Sequence, residues 1–430
     1  MSLHRIDELF KYEKGSLQST KCHPGEYNFI TASSEWKTHS SYTHDCEALV
    51  FAAAASGSLG RTHYVHDKFI ASDLCFIVTV KDPINFPIDL KFYHIIFNLL
   101  RDDIVKRTKA GTSKEAIGLS KFGKYEIPYF DIDRQKIVKE QLFNITDIKN
   151  ELTKEQDYQV YFISQLRHAF LREVMQGKMV RQNPNDEPAS ELLKRIKEEK
   201  AKLTAEGKPK KQKPLPEINH EKIPFQIPQS WTWCRVGEVA DHCLGKMLDG
   251  IKNKGTLQPY LRNINIRWMD FYFDDLLNMR FEDHEEEKYG LKYGDVLICE
   301  GGEPGRAAIW RNQIPNMKIQ KAIHRVRFYE GIDNEYFLYY LIWAARSKYL
   351  SNYFTGAGIQ HFTGKSLSKL IIPLPPLSEQ QRIVSKLNQL MQFCDQLEQN
   401  INTTKEQTNL LLQKVLKEAL EEKGKGIPIQ

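Results

Sequence analysis

The sequence has no long apolar run. Its longest nearly unbroken stretch, FLYYLIWAA at residues 337–345, falls well short of the ~18–20 residues that cross a bilayer, so no membrane span is expected. Cysteine is sparse, with seven in 430 residues and none in a C-x-x-C pair. Structural zinc sites use that paired spacing and secreted disulfide scaffolds need far greater density, so reduced thiols in a cytoplasmic chain are expected. The opening residues, MSLHRIDELFKYEKG, carry charge where a signal peptide holds its apolar stretch, and secretion is not expected. A strong excess of one charge is lacking too. Sixty-one Lys+Arg against 55 Asp+Glu leave +6, mildly basic and compatible with nucleic acid.

Catalytic signatures are missing. There is no G-x-x-x-x-G-K-[ST] phosphate loop, no G-x-G-x-x-G after a strand and no H-E-x-x-H. Asn183-Pro184-Asn185-Asp186 lacks the second proline and the aromatic of an amino-methyltransferase tetrad. The E-x-K in Glu285-Glu286-Glu287-Lys288 sits on no apolar strand and reads as a solvated acidic turn. No catalytic residue and no metal site is assigned.

What the chain does have is a duplication. Arg5-Ile6-Asp7-Glu8-Leu9 recurs as Arg235-Val236-Gly237-Glu238-Val239. Two apolar runs, Ala48-Leu49-Val50-Phe51 and Asp295-Val296-Leu297-Ile298, each lead through a glycine-rich turn to Gly60-Arg61 and Gly305-Arg306. Ala110-Gly111 and Leu119-Ser120-Lys121 match Ala357-Gly358 and Leu367-Ser368-Lys369. Ile127-Pro128 and Gln135-Lys136-Ile137-Val138 match Ile372-Pro373 and Gln381-Arg382-Ile383-Val384. Four matches in one order, at a period above 200 residues, imply two globular copies and not a solenoid.

Each copy opens with about 130 residues of mixed β/α character and closes with a long helix. Apolar or small residues at Ile383, Leu387, Leu390, Cys394, Leu397, Ile401, Thr404, Thr408, Leu411 and Val415 recur at steps of three and four, the seam of a coiled coil. Ser378 is read as its N-cap, with Gln381 completing a capping box. A less regular stripe runs through Val138, Gln141, Ile145, Ile148, Leu152, Phe162, Leu166 and Ala169. Long exposed seams are costly, so the two helices are expected to pack on each other, antiparallel, with pseudo-two-fold symmetry. The fold class is therefore α+β. Expected boundaries are a globular domain at 1–130, a helix at 131–180, a linker with a short helix at 181–228, a second domain at 229–375, a helix at 376–423 and a tail at 424–430.

The glycine turns let backbone approach a phosphate, with an arginine beside each. Candidate DNA contacts are Ser58, Arg61, Lys68, Ser113 and Lys114 in the first copy. In the second they are Arg306, Lys318, Lys321, Gln360, His361 and Lys365. Gln360 is of the type that pairs with adenine through two hydrogen bonds, and Lys365 is placed to reach phosphate.

Three segments carry a family resemblance. IPLPPLSEQQRIV at 372–384 with MQFCDQLE at 391–398, LRHAFLREVMQGK at 166–178 with NPNDEPASELL at 183–193, and GDVLICEGGEPGRAAIW at 294–310 resemble the specificity subunits of type I restriction–modification enzymes. The resemblance implies two target-recognition domains, each reading half of a split double-stranded DNA site, with the helices setting the gap. It implies docking of two methylation (M) subunits, which bind S-adenosylmethionine, and recruitment of restriction (R) subunits, which use ATP and magnesium. The chain itself would then hold no cofactor and catalyse nothing. The competing readings are a self-contained methyltransferase or nuclease and a coiled-coil scaffold that binds no DNA.

Overall fold

The computed structural model describes residues 2–54, 57–110, 115–207, 214–219, 221 and 223–421. The chain divides into two compact units, Met1–Asp157 with Asn402–Gln430, and Tyr158–Ile401.

The first unit is built on a six-stranded sheet in the order Phe10–Lys14, Cys75–Val80, His44–Ala52, Thr62–Ala71, Tyr27–Ile30, Lys37–His39. Its central strand explains the unbroken run ALVFAA. Leu49 and Phe51 point to one face, against the helices Leu90–Leu99 and Arg101–Thr108. Ala48, Val50 and Ala52 point to the other, with Ile30 and Phe69. Both faces of the strand are covered, so the usual apolar–polar alternation disappears.

The second unit holds a four-stranded antiparallel sheet, ordered Ala240–Leu244, Ile323–Phe328, Val296–Cys299, Ala307–Ile309, and a separate three-stranded one. Helix Asn334–Arg346 lies at its centre with residues 336–344 all buried. The apolar run noted above is thus a core helix.

The duplication is physical. In the first unit Ser2–Arg5 pairs antiparallel with Glu126–Tyr129, and the Ile6 N–H donates to the Tyr125 carbonyl at 3.0 Å. In the second, Thr232–Arg235 pairs with Ile371–Leu374, and the Val236 N–H donates to the Leu370 carbonyl at 3.0 Å.

The long helices are Ile132–Met175 and Leu377–Glu421, 44 and 45 residues. Three expectations about them and their neighbours are corrected. First, the second helix starts at Leu377, so Ser378 lies inside it and does not cap it; its hydroxyl bonds to the Asp186 carboxylate.

Second, the stripe on the first helix holds at Val138, which is buried as expected, but its other buried residues include Leu142, Gln156, Ile163 and Leu171. Ile148, Leu152, Phe162 and Leu166 are 37–63% exposed, and Ile145 is half-buried. Phe162 lies one residue away from Ile163, which is buried, and Leu166 lies off the packed face. On the second helix Ile383 and Leu387 are buried, Leu390, Leu397, Ile401 and Val415 are half-buried, and Leu411 is exposed.

Third, the expected linker is not free chain. Helix Ala189–Ala205 buries Ala189, Leu192 and Ile196 completely in the second unit's core. Arg235 then donates to the carbonyls of Pro216 and Glu217 at 3.0 and 3.1 Å, strapping the following segment down. Three apolar contacts spaced three and four apart were enough to recruit a helix that is charged elsewhere.

Ion pairs join the helices inside each unit. In the second, Arg167 donates to Glu398 at 2.7 Å and to Asp395 at 2.6 Å, while Gln182 donates to Glu379 at 2.5 Å. Rising numbers on one segment therefore meet falling numbers on the other. In the first unit Lys405 meets Asp157 at 2.6 Å.

Candidate nucleic-acid interface

One constellation recurs in both units: a glycine turn pinned by an arginine, with a later loop laid beside it. In the first unit the Ala52 N–H donates to the Arg61 carbonyl at 2.7 Å and the Gly60 N–H returns to the Ala52 carbonyl at 2.8 Å. Gly57 and Gly60 take φ of 79° and 78°, a region that disfavours any side chain. The second unit repeats this with Cys299, Arg306 and Gly305 at 2.8 and 2.9 Å, and with Gly302 and Gly305 at φ of 80° and 90°.

Each arginine makes one bond inside its own turn and one to a backbone carbonyl beyond it. Arg61 donates to the Ala32 carbonyl at 3.2 Å and to the Ser58 hydroxyl at 3.3 Å. Arg306 donates to the Asn263 carbonyl at 2.8 Å and to the Glu303 carboxylate at 2.7 Å, with only 16% of its side chain exposed. The guanidinium groups thus tie each turn to the neighbouring backbone at Ala32 or Asn263.

The later loop closes onto the same turn. The Ile117 N–H donates to the Ala53 carbonyl at 2.8 Å, and the Phe362 N–H donates to the Glu300 carbonyl at 2.8 Å. Thr355 and His361 exchange backbone bonds at 2.9 and 2.8 Å, so residues 356–360 project as a hairpin tip. Gln360 and His361 are exposed there. A Cβ on Gly301 would come within 3.3 Å of the His361 ring, so glycine lets ring and turn approach. Thr363 caps helix Gly364–Lys369, and Lys365 is exposed on its first turn.

The remaining expected residues separate. Lys321 is exposed at the edge of this surface. Lys68 is half-buried with its ammonium 5.1 Å from the centre of the Tyr42 ring. Ser113 and Lys114 lie outside the described residues. Lys318 is corrected: it is 1% exposed, paired with Glu286 at 2.8 Å and bonded to the Asn316 carbonyl at 2.9 Å, leaving no face for a phosphate.

Sequence reasoning missed the supports behind the loop. His324, fully buried, donates Nε2 to the Phe362 carbonyl at 2.8 Å, and His242 meets the Ser368 hydroxyl at 2.5 Å. Burial holds both imidazoles below their ordinary range. It also missed Arg101, which clamps the first turn by donating to the Leu59 and Gly57 carbonyls at 2.8 and 3.1 Å. Isolated histidines and an arginine in a helical run carry no periodic signal.

Among the described residues one acidic group, Glu282, His284 and Glu285, has metal-like spacing. Glu285 is already neutralised by Lys246 at 2.5 Å. No helix among the described residues is long and apolar enough to cross a membrane.

The family model described as the type I restriction modification DNA specificity domain matches residues 2–160 and again residues 228–407. The chain belongs to that family. Two matches to one model fit the repeated turn-and-loop constellation. The EcoAI type I restriction enzyme specificity subunit of Escherichia coli is 34% identical over 271 residues, 60% of this chain and 44% of the relative. The EcoEI specificity subunit of Escherichia coli is 28% identical over 311 residues, 66% of this chain and 52% of the relative. The chain thus spans about half the length of these two relatives. A solved chain from work on complex assembly and conformational transition of the type I R-M system covers 97% of each chain at 17% identity, with a TM-score of 0.68. That likeness establishes the mixed α+β fold of this family member.

Proposed function

We propose that this protein is the DNA-specificity subunit of a type I restriction–modification complex and has no catalytic role of its own. Each unit reads one half of a bipartite double-stranded DNA site through its glycine turn and the loop beside it. The observation that carries this reading is the recurrence of that constellation, bond for bond, in two units joined by long helices. A bipartite DNA site calls for two such readers in one chain.

The long helices act as an antiparallel coiled coil with pseudo-two-fold symmetry that sets the gap between half-sites. They also dock two M subunits. In the second unit the first helix exposes Tyr158, Tyr161, Phe162 and Leu166, an apolar face unusual on a solvated helix and suited to a partner's helix. S-adenosylmethionine binds the M subunits, and ATP with magnesium binds the R subunits that join them in the cytoplasm. Lys321, Gln360, His361 and Lys365 contact DNA in the second unit, and Lys68 does so in the first.

Methylation mapping tests this in cells that hold the complete complex, with and without this chain. Adenine methylation at two half-sites separated by a fixed gap should vanish when the chain is removed. Purified chain that methylates or cuts DNA alone would overturn the reading in favour of an enzyme.

A further inference from the structure

Two buried amides stand apart from the recognition surface. Gln135 and Gln380 are both fully buried. Gln135 accepts the Asp89 N–H at 2.8 Å and donates to the carbonyls of Pro87 and Phe130 at 2.9 and 2.7 Å. Gln380 accepts the Asp333 N–H at 2.8 Å and donates to the carbonyls of Gly331 and Pro375 at 3.1 and 3.0 Å. Asp89 and Asp333 are themselves the side-chain caps of helices Leu90–Leu99 and Asn334–Arg346.

In each unit, then, a single amide joins three things: the first turn of the long helix, the chain entering it, and the cap of the main helix of the head. The sheets of the two heads differ in strand number and order, yet this joint recurs with equivalent partners. Beyond the turn-and-loop constellation, the copies thus share the attachment of head to helix. A buried, fully satisfied polar network gives direction more than net stability, since each neutral hydrogen bond contributes only ~1 kcal/mol. The buried neighbours Val138 and Leu142, or Ile383 and Leu387, supply the apolar packing at the same joint.

We propose that Gln135 and Gln380 are positioning residues that fix the angle between each head and the helix leaving it, and so hold the half-site gap to one value. This rests on the DNA-specificity reading above. One base pair of gap moves a half-site by about 3.4 Å along the duplex and roughly 35° around it. A head of this size is roughly 35 Å across, so a tilt of about 6° shifts its far edge by that distance. A few degrees of slack at either joint would therefore admit neighbouring gaps.

The test is methylation mapping in cells carrying the full complex with Gln135→Met, Gln380→Met or the milder Gln380→Asn, which keeps the amide but shortens its reach. The wild type should show one gap. Each variant should methylate the same half-site bases at gaps one base pair longer or shorter, with these sites enriched at least ~10-fold over wild type, a ~1.4 kcal/mol change in discrimination. Variants that keep the single gap, whatever their overall activity, overturn the inference. So does a result in which all three fail to fold, which would make the amides folding elements only. A wild type without any bipartite site sinks the underlying DNA-specificity reading instead, and the two failures are told apart by that control.

Discussion

Arg306 donates to the backbone carbonyl of Asn263 at 2.8 Å, and that bond decides what the arginine beside the glycine turn does. A cation engaged with a carbonyl and with Glu303 neutralises little phosphate charge. Arg306→Ala should therefore cost about 1–2 kcal/mol of stability by freeing the turn, while leaving the salt dependence of DNA binding by the complex almost unchanged. Lys321→Ala and Lys365→Ala, at exposed ammonium groups, should each reduce the slope of log affinity against log salt by about one. Salt titrations of the three variants decide this; a flattened slope for Arg306→Ala alone would return the arginine to phosphate binding.

The histidines behind the recognition loop give the second unit a pH dependence. Burial keeps His242 and His324 neutral in the folded chain, below the range near 6.5 that they show when unfolded. Asp241 beside His242 and Glu300 beside His324 oppose the burial. Lys200 and Arg325 add to it at His242, as His242 does at His324, and the net direction of both histidines stays downward. Below about pH 6.5 the unfolded chain binds more protons, so stability falls as pH falls; above it the contribution is complete and flat. His324→Gln keeps a donor for the Phe362 carbonyl and removes one proton from the difference, at most ~1.4 kcal/mol per pH unit. Urea unfolding between pH 7.5 and 5 should show the smaller slope, and equal slopes would show that His324 does not titrate on unfolding.

The elements that could be read from sequence were those carried by periodicity or repetition. Two copies of Gly-Arg after an apolar run gave both turns, and the heptad steps through Ile383 and Leu387 placed the second helix. On the first helix the expected stripe holds at Val138 and fails further along, where Gln156 and Ile163 are buried and Phe162 is exposed. Burial in a two-helix seam depends on what the partner helix presents, which no single stripe encodes. The joint was read one place out: Gln380, not Gln381, is the structural equivalent of Gln135, since Gln381 is exposed. Two adjacent glutamines look alike until one of them finds three backbone partners.

That slip on the first helix separates packing from docking. Ile163 is 7% exposed and Phe162 is 63% exposed, so adjacent side chains serve different neighbours. Ile163→Ser should cost about 2–3 kcal/mol, because it opens the seam and buries a hydroxyl. Phe162→Ser should change stability by no more than ~0.5 kcal/mol yet weaken capture of M subunits. Thermal melts read the first effect and co-purification the second. If Phe162→Ser retains M subunits at the wild-type level, the exposed aromatic face is not where they bind.

The length of the helices makes the last prediction. Removing seven residues from each long helix shortens the spacer by about 10.5 Å at 1.5 Å per residue. Seven residues are close to two helical turns, so each head returns to nearly its original orientation, about 20° away. On a duplex rising about 3.4 Å per base pair, the gap should contract by roughly three base pairs while both half-site sequences stay the same. Rotation of the second half-site around the duplex by about 100° sets the cost, which the heads must follow for binding to survive. Methylation mapping of the shortened chain in its complex reads gap and bases separately. An unchanged gap with altered bases would mean that the helices carry the heads without measuring the distance between them.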